Sequence, residues 1–260
     1  MNAESPLGKD SEYPHEYAPD VLHAIPRKGD RASFSGVDIW NAWELTWLGR
    51  NGQPDSAVAE IRIPADSPNI VESKSLKLYL GSLAMCRYAG PGDVVDLVSR
   101  DVGACVEAGI TVVLLGPAGQ HKAAELPGDC VDDADVDCDR FQPDASLLAA
   151  GDDAISESLH SHALRSLCPV TSQPDIGSLL VTYSGPRIDR ASLLRYIVSY
   201  RLHNDFHESC VERMFLDIRE RCRTRRLTVY ARYQRRGGID INPFRSDFEQ
   251  DPPNLRLWRQ

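Results

Sequence analysis

Two short stretches in the C-terminal half carry the side chains best suited to covalent chemistry. SLCPVTSQPDIGS holds Cys168 and, seven residues on, Asp175; NDFHESC holds His207, Glu208 and Cys210. A cysteine nucleophile needs an acid or base partner within reach, and Asp175 and His207 are the candidates for Cys168. A lone cysteine is more often a small core residue, but the flanking Pro169 puts Cys168 on a loop. His203 and His207 are four residues apart, the spacing of one helical face, and with Cys168 they compose a zinc-type ligand set. Asn204-Asp205 interrupts the helical pattern between them.

Two other stretches suit anions and polar ring edges. VESKSLKLYL sets Glu72, Ser73, Lys74 and Ser75 at the head of an apolar run, where a helix N-terminus favours negative charge. YQRRGGIDINPFRS puts Arg235 and Arg236 beside Gly237-Gly238, which suits a phosphate-bearing cofactor and equally a charged hairpin tip. Glu72 and Glu208 come from different halves of the chain. A carboxylate accepts two parallel hydrogen bonds from adjacent donors, the edge that a guanine-type base presents. Taken singly, each is also an ordinary helix-surface residue.

The chain has 260 residues, 42% of them apolar, enough for one large domain or two smaller ones. With 38 acidic and 29 basic residues and a net charge of -9 it lacks the extended basic surface that grips a phosphate backbone. RERCRTRR at 219–226 is the one local exception and reads as a solvated helix end. The polar start has no apolar core of a secretory signal, and ITVVLL at 110–115 is far too short to span a bilayer. Seven scattered cysteines without a CxxC pair point to a reducing compartment. A soluble cytoplasmic protein is expected. No GxGxxG after a strand and no GxxxxGK[ST] supports a nucleotide site of the Rossmann or P-loop kind.

The elements that must position these residues follow from periodicity. GVDIWNAWELTWLGRNGQPDSAVAEIRIP reads as two strands about Asn51-Gly52. Leu76, Leu80 and Leu83, then Val94, Leu97, Val98 and Val102, mark two helices, and ITVVLL a buried strand. In the second half SLLVTY is a strand, and Asp189 caps a helix carrying Leu193, Leu194, Ile197 and Val198. Val211, Phe215 and Ile218 mark another helix, followed by LTVYARY and INPF as strands. The expected fold class is α+β: tandem ββααββ units with antiparallel sheets and helices on one face. The expected division is an N-terminal extension over 1–33, a first unit over 34–126, an acidic linker over 127–158 and a second unit over 159–260. Asp133, Asp135 and Asp137 have calcium-loop spacing, but Cys138 stands where the loop needs glycine, so a solvated linker is expected.

ESKSLKLY at 72–79, CPVTSQPDIGS, RYIVSYRLHNDFHESCVER and VYARYQRRGGIDINP together resemble the NADPH-dependent 7-cyano-7-deazaguanine reductases. This is the QueF family of nitrile reductases, which make the aminomethyl precursor of the tRNA base queuosine. The resemblance runs from GVDIW to the C-terminus, with the first signature in one half and Cys168 in the other, as in the longer two-module subfamily. It implies tunnelling-fold (T-fold) units and a homodimer acting on a free base, with no direct nucleic acid partner and no membrane. It implies Cys168 as nucleophile, Asp175 as proton donor, and His207 in substrate binding and proton transfer. Glu72 and Glu208 would anchor the base, with Ser73 and Lys74 also on the substrate side. Lys74, Ser75, Arg236 and Gly237 would contact NADPH, two molecules per turnover, with no metal.

The implied chemistry explains the residue types. Addition of the Cys168 thiolate to the nitrile carbon, with Asp175 protonating nitrogen, gives a thioimide that accepts hydride better than the nitrile. A first hydride and loss of the thiolate give an imine that must be shielded from water, and a second hydride gives the amine. Burial is expected to raise the pKa of Asp175 so that it is protonated at the moment of attack. The rival readings are a zinc-dependent T-fold hydrolase of the GTP cyclohydrolase type using Cys168, His203 and His207, and a non-catalytic purine- or pterin-binding module. Cys210 reads either as a small buried helix residue or as a partner of Cys168 in a protective disulfide.

Overall fold

The structure is a computed structural model that describes residues 13–29, 32–116 and 122–260. The described residues within 1–29, 38–121 and 235–240 form one compact unit, and those within 30–37, 122–234 and 241–260 form a second. The architecture is α+β and mainly antiparallel.

In the first unit β3 (Pro54–Pro64) lies between β5 (Thr111–Leu115) and β2 (Ser35–Leu48). Gly52, at φ 82°, turns the chain from β2 to β3 and donates its N–H to Gly49 O at 2.9 Å. Two helices follow the hairpin, α1 (Ser73–Ser82) and α2 (Pro91–Val106). Val94, Val98, Val102 and Val106 recur every four residues along α2 and are completely buried, the stripe by which an amphipathic helix docks on a sheet.

The expected loose extension is structured in its second half. β1 (Ala24–Pro26) pairs antiparallel with β4 (Asn69–Val71), Ala24 opposite Val71. His23 continues that strap: it accepts from the Glu72 N–H at 2.8 Å and donates its own N–H to Ser75 Oγ at 3.0 Å. A three-residue strand leaves no periodicity to read, and its order comes from partners some fifty residues away in the chain.

In the second unit the strands run β6 (Asp129–Cys130), β7 (Ala150–Leu167), β8 (Pro174–Ile188), β9 (Arg226–Tyr233), β10 (Ile239–Ser246, from residue 241 on) in spatial as well as chain order. All neighbours are antiparallel except β6 with β7. α3 (Arg190–Val198) and α4 (His207–Cys222) lie between β8 and β9 in the chain, completing the order ββααββ. Asp189 caps α3 as expected, accepting the Ser192 N–H at 2.7 Å. Leu193 and Ile197 of α3 and Val211, Phe215 and Ile218 of α4 share a buried core with Leu179, Val181, Val229 and Tyr233.

β7 is the main departure from the sequence reading, since its first nine residues fall inside the expected linker. Its alternation is carried by Ser, His and Glu. A register shift between Ser161 and Leu164 separates the buried Leu159 and Leu164 by five positions, which destroys a period of two. Asp133, Asp135 and Asp137 are exposed, but Asp132 is docked on β7, accepting the His162 N–H at 2.8 Å.

No helix among the described residues is long and apolar enough to cross a membrane. A buried ion pair ties β10 to α4: the Arg245 guanidinium, completely buried, donates through Nη2 to Glu212 Oε1 at 2.7 Å. Removing one partner strands the other charge. Arg245→Met is therefore expected to lower unfolding free energy by about 3–5 kcal/mol, read from the urea midpoint at unchanged slope.

Candidate functional site

The second unit gathers four of the expected residues at one end of the β7–β8 hairpin. β7 ends at Leu167, whose N–H donates to His203 O at 2.8 Å and whose carbonyl accepts the Asp205 N–H at 3.1 Å. The connector 203–205 is thereby stitched alongside the strand, and α4 begins two residues later. Cys168 opens the loop between the strands. Its N–H donates to Gln173 O at 2.9 Å, and its carbonyl accepts from the Ser172 N–H at 3.0 Å and Asn204 Nδ2 at 3.2 Å. Ser172 adopts φ 55° to close this tight loop. β8 resumes at Pro174, so Asp175 sits directly opposite Ser166.

Asp175 and Glu208 are buried, and Cys168 is only 5% exposed. His207 Nε2 stands 3.7 Å from Asp175 Oδ1, and its ring packs edge-on to Tyr233 with centroids 4.0 Å apart. His207 and Glu208 occupy the first turn of α4, whose N-cap, Phe206, supplies no side-chain acceptor. The helix N-terminus there favours a carboxylate such as Glu208. Cys210 is completely buried one turn further on. Burial, then the Asp205 carboxylate, push its thiol well above the ordinary range; Ser166 opposes them, and Asp175 and Glu208 add smaller upward effects. Cys168 and Cys210 are both free thiols.

His203 does not join this cluster as a second ligand on the helical face of His207. It caps the 3-10 turn Ser199–Leu202 in an extended conformation, φ -84° and ψ 126°. Its ring lies edge-on to Tyr200, and its Nε2 is 3.6 Å from Asp205 Oδ2. The Asn204-Asp205 break abolishes the four-residue spacing on which the zinc set rests. Among the described residues no group of three or more His, Cys, Asp or Glu side chains is arranged to hold a metal ion.

The first unit holds the other expected residues. Glu72 is the N-cap of α1: Oε1 accepts the Lys74 N–H at 2.7 Å and Oε2 the Ser75 N–H at 2.8 Å. Ser73 Oγ lies 3.4 Å from Oε1, and Ser75 Oγ donates back to the Glu72 carbonyl at 2.7 Å. The carboxylate is 1% exposed and fixed in direction. Each oxygen retains acceptor capacity beyond these bonds.

Gly237, at φ 57°, lies against the Lys77 ammonium so closely that a Cβ at 237 would collide with it. Lys77 is the functional candidate that sequence reasoning missed. It follows Lys74 by three residues, the spacing of neighbours on one helix face, and that was the available signal. Burial and the nearby charges of Arg236 and Lys74 hold the Lys77 ammonium below the usual lysine range, with Glu72 opposing them. Arg235 turns elsewhere, stacking over the Trp43 ring at 4.1 Å. Lys77 thus lies against the bare Gly237 with the charges of Arg236 and Lys74 close to it, an arrangement whose chemistry suits an anionic group.

Residues 13–114 match a family model described as nitrile reductase, 7-cyano-7-deazaguanine-reductase N-term, and residues 174–252 match one described as QueF-like protein. The first match includes the β1 strap. The chain is 52% identical over 268 residues to an NADPH-dependent 7-cyano-7-deazaguanine reductase of Azoarcus sp. (strain BH72), covering 98% of this chain and 95% of that protein. Proteins of the same description from Burkholderia multivorans and Burkholderia vietnamiensis are 50% and 51% identical over 274 residues, with both chains covered completely.

Gly237→Ala is expected to destabilise the protein by about 1–2 kcal/mol, because a side chain disfavours the left-handed conformation and meets Lys77 as well. Denaturant unfolding of the variant measures it; an unchanged midpoint would deny the close approach.

Proposed function

This chain belongs to the NADPH-dependent 7-cyano-7-deazaguanine reductase family, and on that premise we propose that it reduces the nitrile of 7-cyano-7-deazaguanine to an aminomethyl group in queuosine biosynthesis. The observation that carries the reading is the meeting of Cys168, Asp175, His207 and Glu208 at one hairpin end and one helix N-terminus.

In this proposal Cys168 attacks the nitrile carbon as a thiolate, through Sγ. As the S–C bond forms, one π pair of the C≡N bond moves to nitrogen, which takes the proton of Asp175. A carboxyl group 2% exposed is suited to that task, since burial disfavours its charged form. His207 binds substrate and moves protons beside Asp175. Glu208 and Glu72 accept from the N–H groups of the base, and Ser73 and Lys74 meet the substrate at the head of α1. The intermediate imine needs exclusion of water, and the buried setting of Cys168, Asp175 and Glu208 supports that.

Lys74, Ser75, Lys77, Arg236 and Gly237 hold NADPH by its phosphates. When bound, NADPH supplies hydride, two molecules being consumed for each nitrile. The proposed roles assign no step to a metal ion. A homodimer in the cytoplasm, acting on the free base and making no contact with tRNA, completes the reading; the net charge of -9 supports the last point.

Intact mass spectrometry tests the covalent step. Protein mixed with 7-cyano-7-deazaguanine and no NADPH is expected to gain one substrate mass, and Cys168→Ala to gain none. No gain in the folded wild type would remove Cys168 as nucleophile. The cofactor site has a separate test through pH. Lys77 is charged below its lowered pKa and loses that charge as pH rises through it. The KM for NADPH is therefore expected to climb below the ordinary lysine range, and Lys77→Arg is expected to flatten the climb. A wild-type KM that stays level to about pH 10 would take Lys77 out of the site.

A further inference from the structure

Two buried hydroxyls beside the reacting cluster have no role in the chemistry described so far. Ser166 is completely buried and Tyr233 is 1% exposed. Neither Ser166 Oγ nor Tyr233 Oη has a well-formed hydrogen bond to a protein group, although Ser166 Oγ lies close to both Tyr233 Oη and Cys210 Sγ. Protein interiors rarely leave such groups unsatisfied.

Both hydroxyls adjoin the pair that must exchange protons. Ser166 is the cross-strand partner of Asp175, which puts their Cβ atoms about 4.5–5.5 Å apart on one face of the sheet. Tyr233 packs on the His207 ring, and the Asp175 carboxylate acts on its phenol. His207 Nε2 and Asp175 Oδ1, at 3.7 Å, are too far apart for a direct hydrogen bond. A separation of 3.7 Å between two such groups suits a bridging water, which needs two to four partners; Ser166, opposite Asp175, and Tyr233, against His207, are placed to supply two more.

We propose that Ser166 and Tyr233 hold a water that passes a proton from His207 to Asp175. The proposal rests on the reading of Asp175 as the acid that protonates the nitrile nitrogen. Once Asp175 has given up its proton, the water donates one of its protons to the carboxylate and takes the Nε2 proton of the His207 imidazolium. One proton moves, no electrons move, and the water is regenerated. Ser166 and Tyr233 orient the water and lose nothing themselves. Burial drives the Tyr233 phenol well above its ordinary range, so it stays a neutral donor. Its backbone is fixed on both sides: the Tyr233 N–H donates to Asn242 Oδ1 at 3.2 Å, and its carbonyl accepts from Gln260 Nε2 at 2.9 Å. Gln260 Nε2 also donates to Asn242 Oδ1 at 2.7 Å, closing the bracket.

Ser166→Ala and Tyr233→Phe each delete one hydroxyl and keep the packing. In both, kcat is expected to fall by about tenfold or more with KM unchanged, and the solvent deuterium isotope effect on kcat to rise. Formation of the Cys168 adduct without NADPH is expected to persist, since the first proton is already on Asp175. Asp175→Asn separates the two layers of the argument. If Asp175→Asn turns over normally, the acid assignment falls and the relay falls with it. If Asp175→Asn is inactive while both hydroxyl variants keep the wild-type kcat and isotope effect, the relay alone is overturned.

Discussion

Two backbone hydrogen bonds at Leu167 bring the proposed reacting groups of the second unit to one end of a hairpin. One joins the Leu167 N–H to His203 O, the other the Asp205 N–H to Leu167 O. They hold the connector 203–205 against the last residue of β7, so α4 starts beside the loop that carries Cys168. The β7–β8 register does the rest, setting Asp175 across from Ser166. A slip of one residue would turn Asp175 to the opposite face. The bulge between Ser161 and Leu164 pins that register, because slippage would have to carry an irregular position with it.

The first unit concentrates like charge, and its geometry says why. Lys74 and Arg236 both lie within electrostatic reach of the half-buried Lys77. An arrangement that weakens a lysine's own hold on its proton works against stability. The proposed cofactor site would make it favourable, since the same burial that penalises the free ammonium strengthens its attraction to a phosphate. Glu72 limits the cost meanwhile. Its carboxylate neutralises part of the cluster and caps α1 through the Lys74 and Ser75 amides. One side chain thereby orders the helix end and restrains the cations around it.

What was legible in the sequence follows from range. The Glu72 helix start, the Asp189 cap, the Gly52 turn and the apolar stripes of α2 and α4 are local patterns, and each appears as its residues dictate. The closeness of Asp175 to His207 was suspected from residue type but depends on strand register, which no local pattern encodes. β1 was illegible because three residues carry no period. β7 was illegible because a bulge breaks its phase. His203 misled because a four-residue spacing implies a shared face only inside a continuous helix, and the chain is extended at that point. Lys77 was visible as a neighbour of Lys74, but its meaning required Gly237, distant in sequence and pressed against it.

The two cysteines of the second unit are distinguished by their surroundings. Cys210 is a helix residue with no exposure, facing Asp205, Asp175 and Glu208, and three carboxylates together with burial oppose formation of a thiolate there. Cys168 is held on a loop by its own backbone N–H and carbonyl, which leaves the side chain unconstrained by a helix. A nucleophile must form a thiolate and reach a carbon atom. Asp205 is the foremost of these carboxylates, and together with burial it opposes ionisation of the Cys210 thiol. In the proposed chemistry the buried Cys210 is thereby disfavoured as a competing thiolate, and the bond to substrate falls to Cys168.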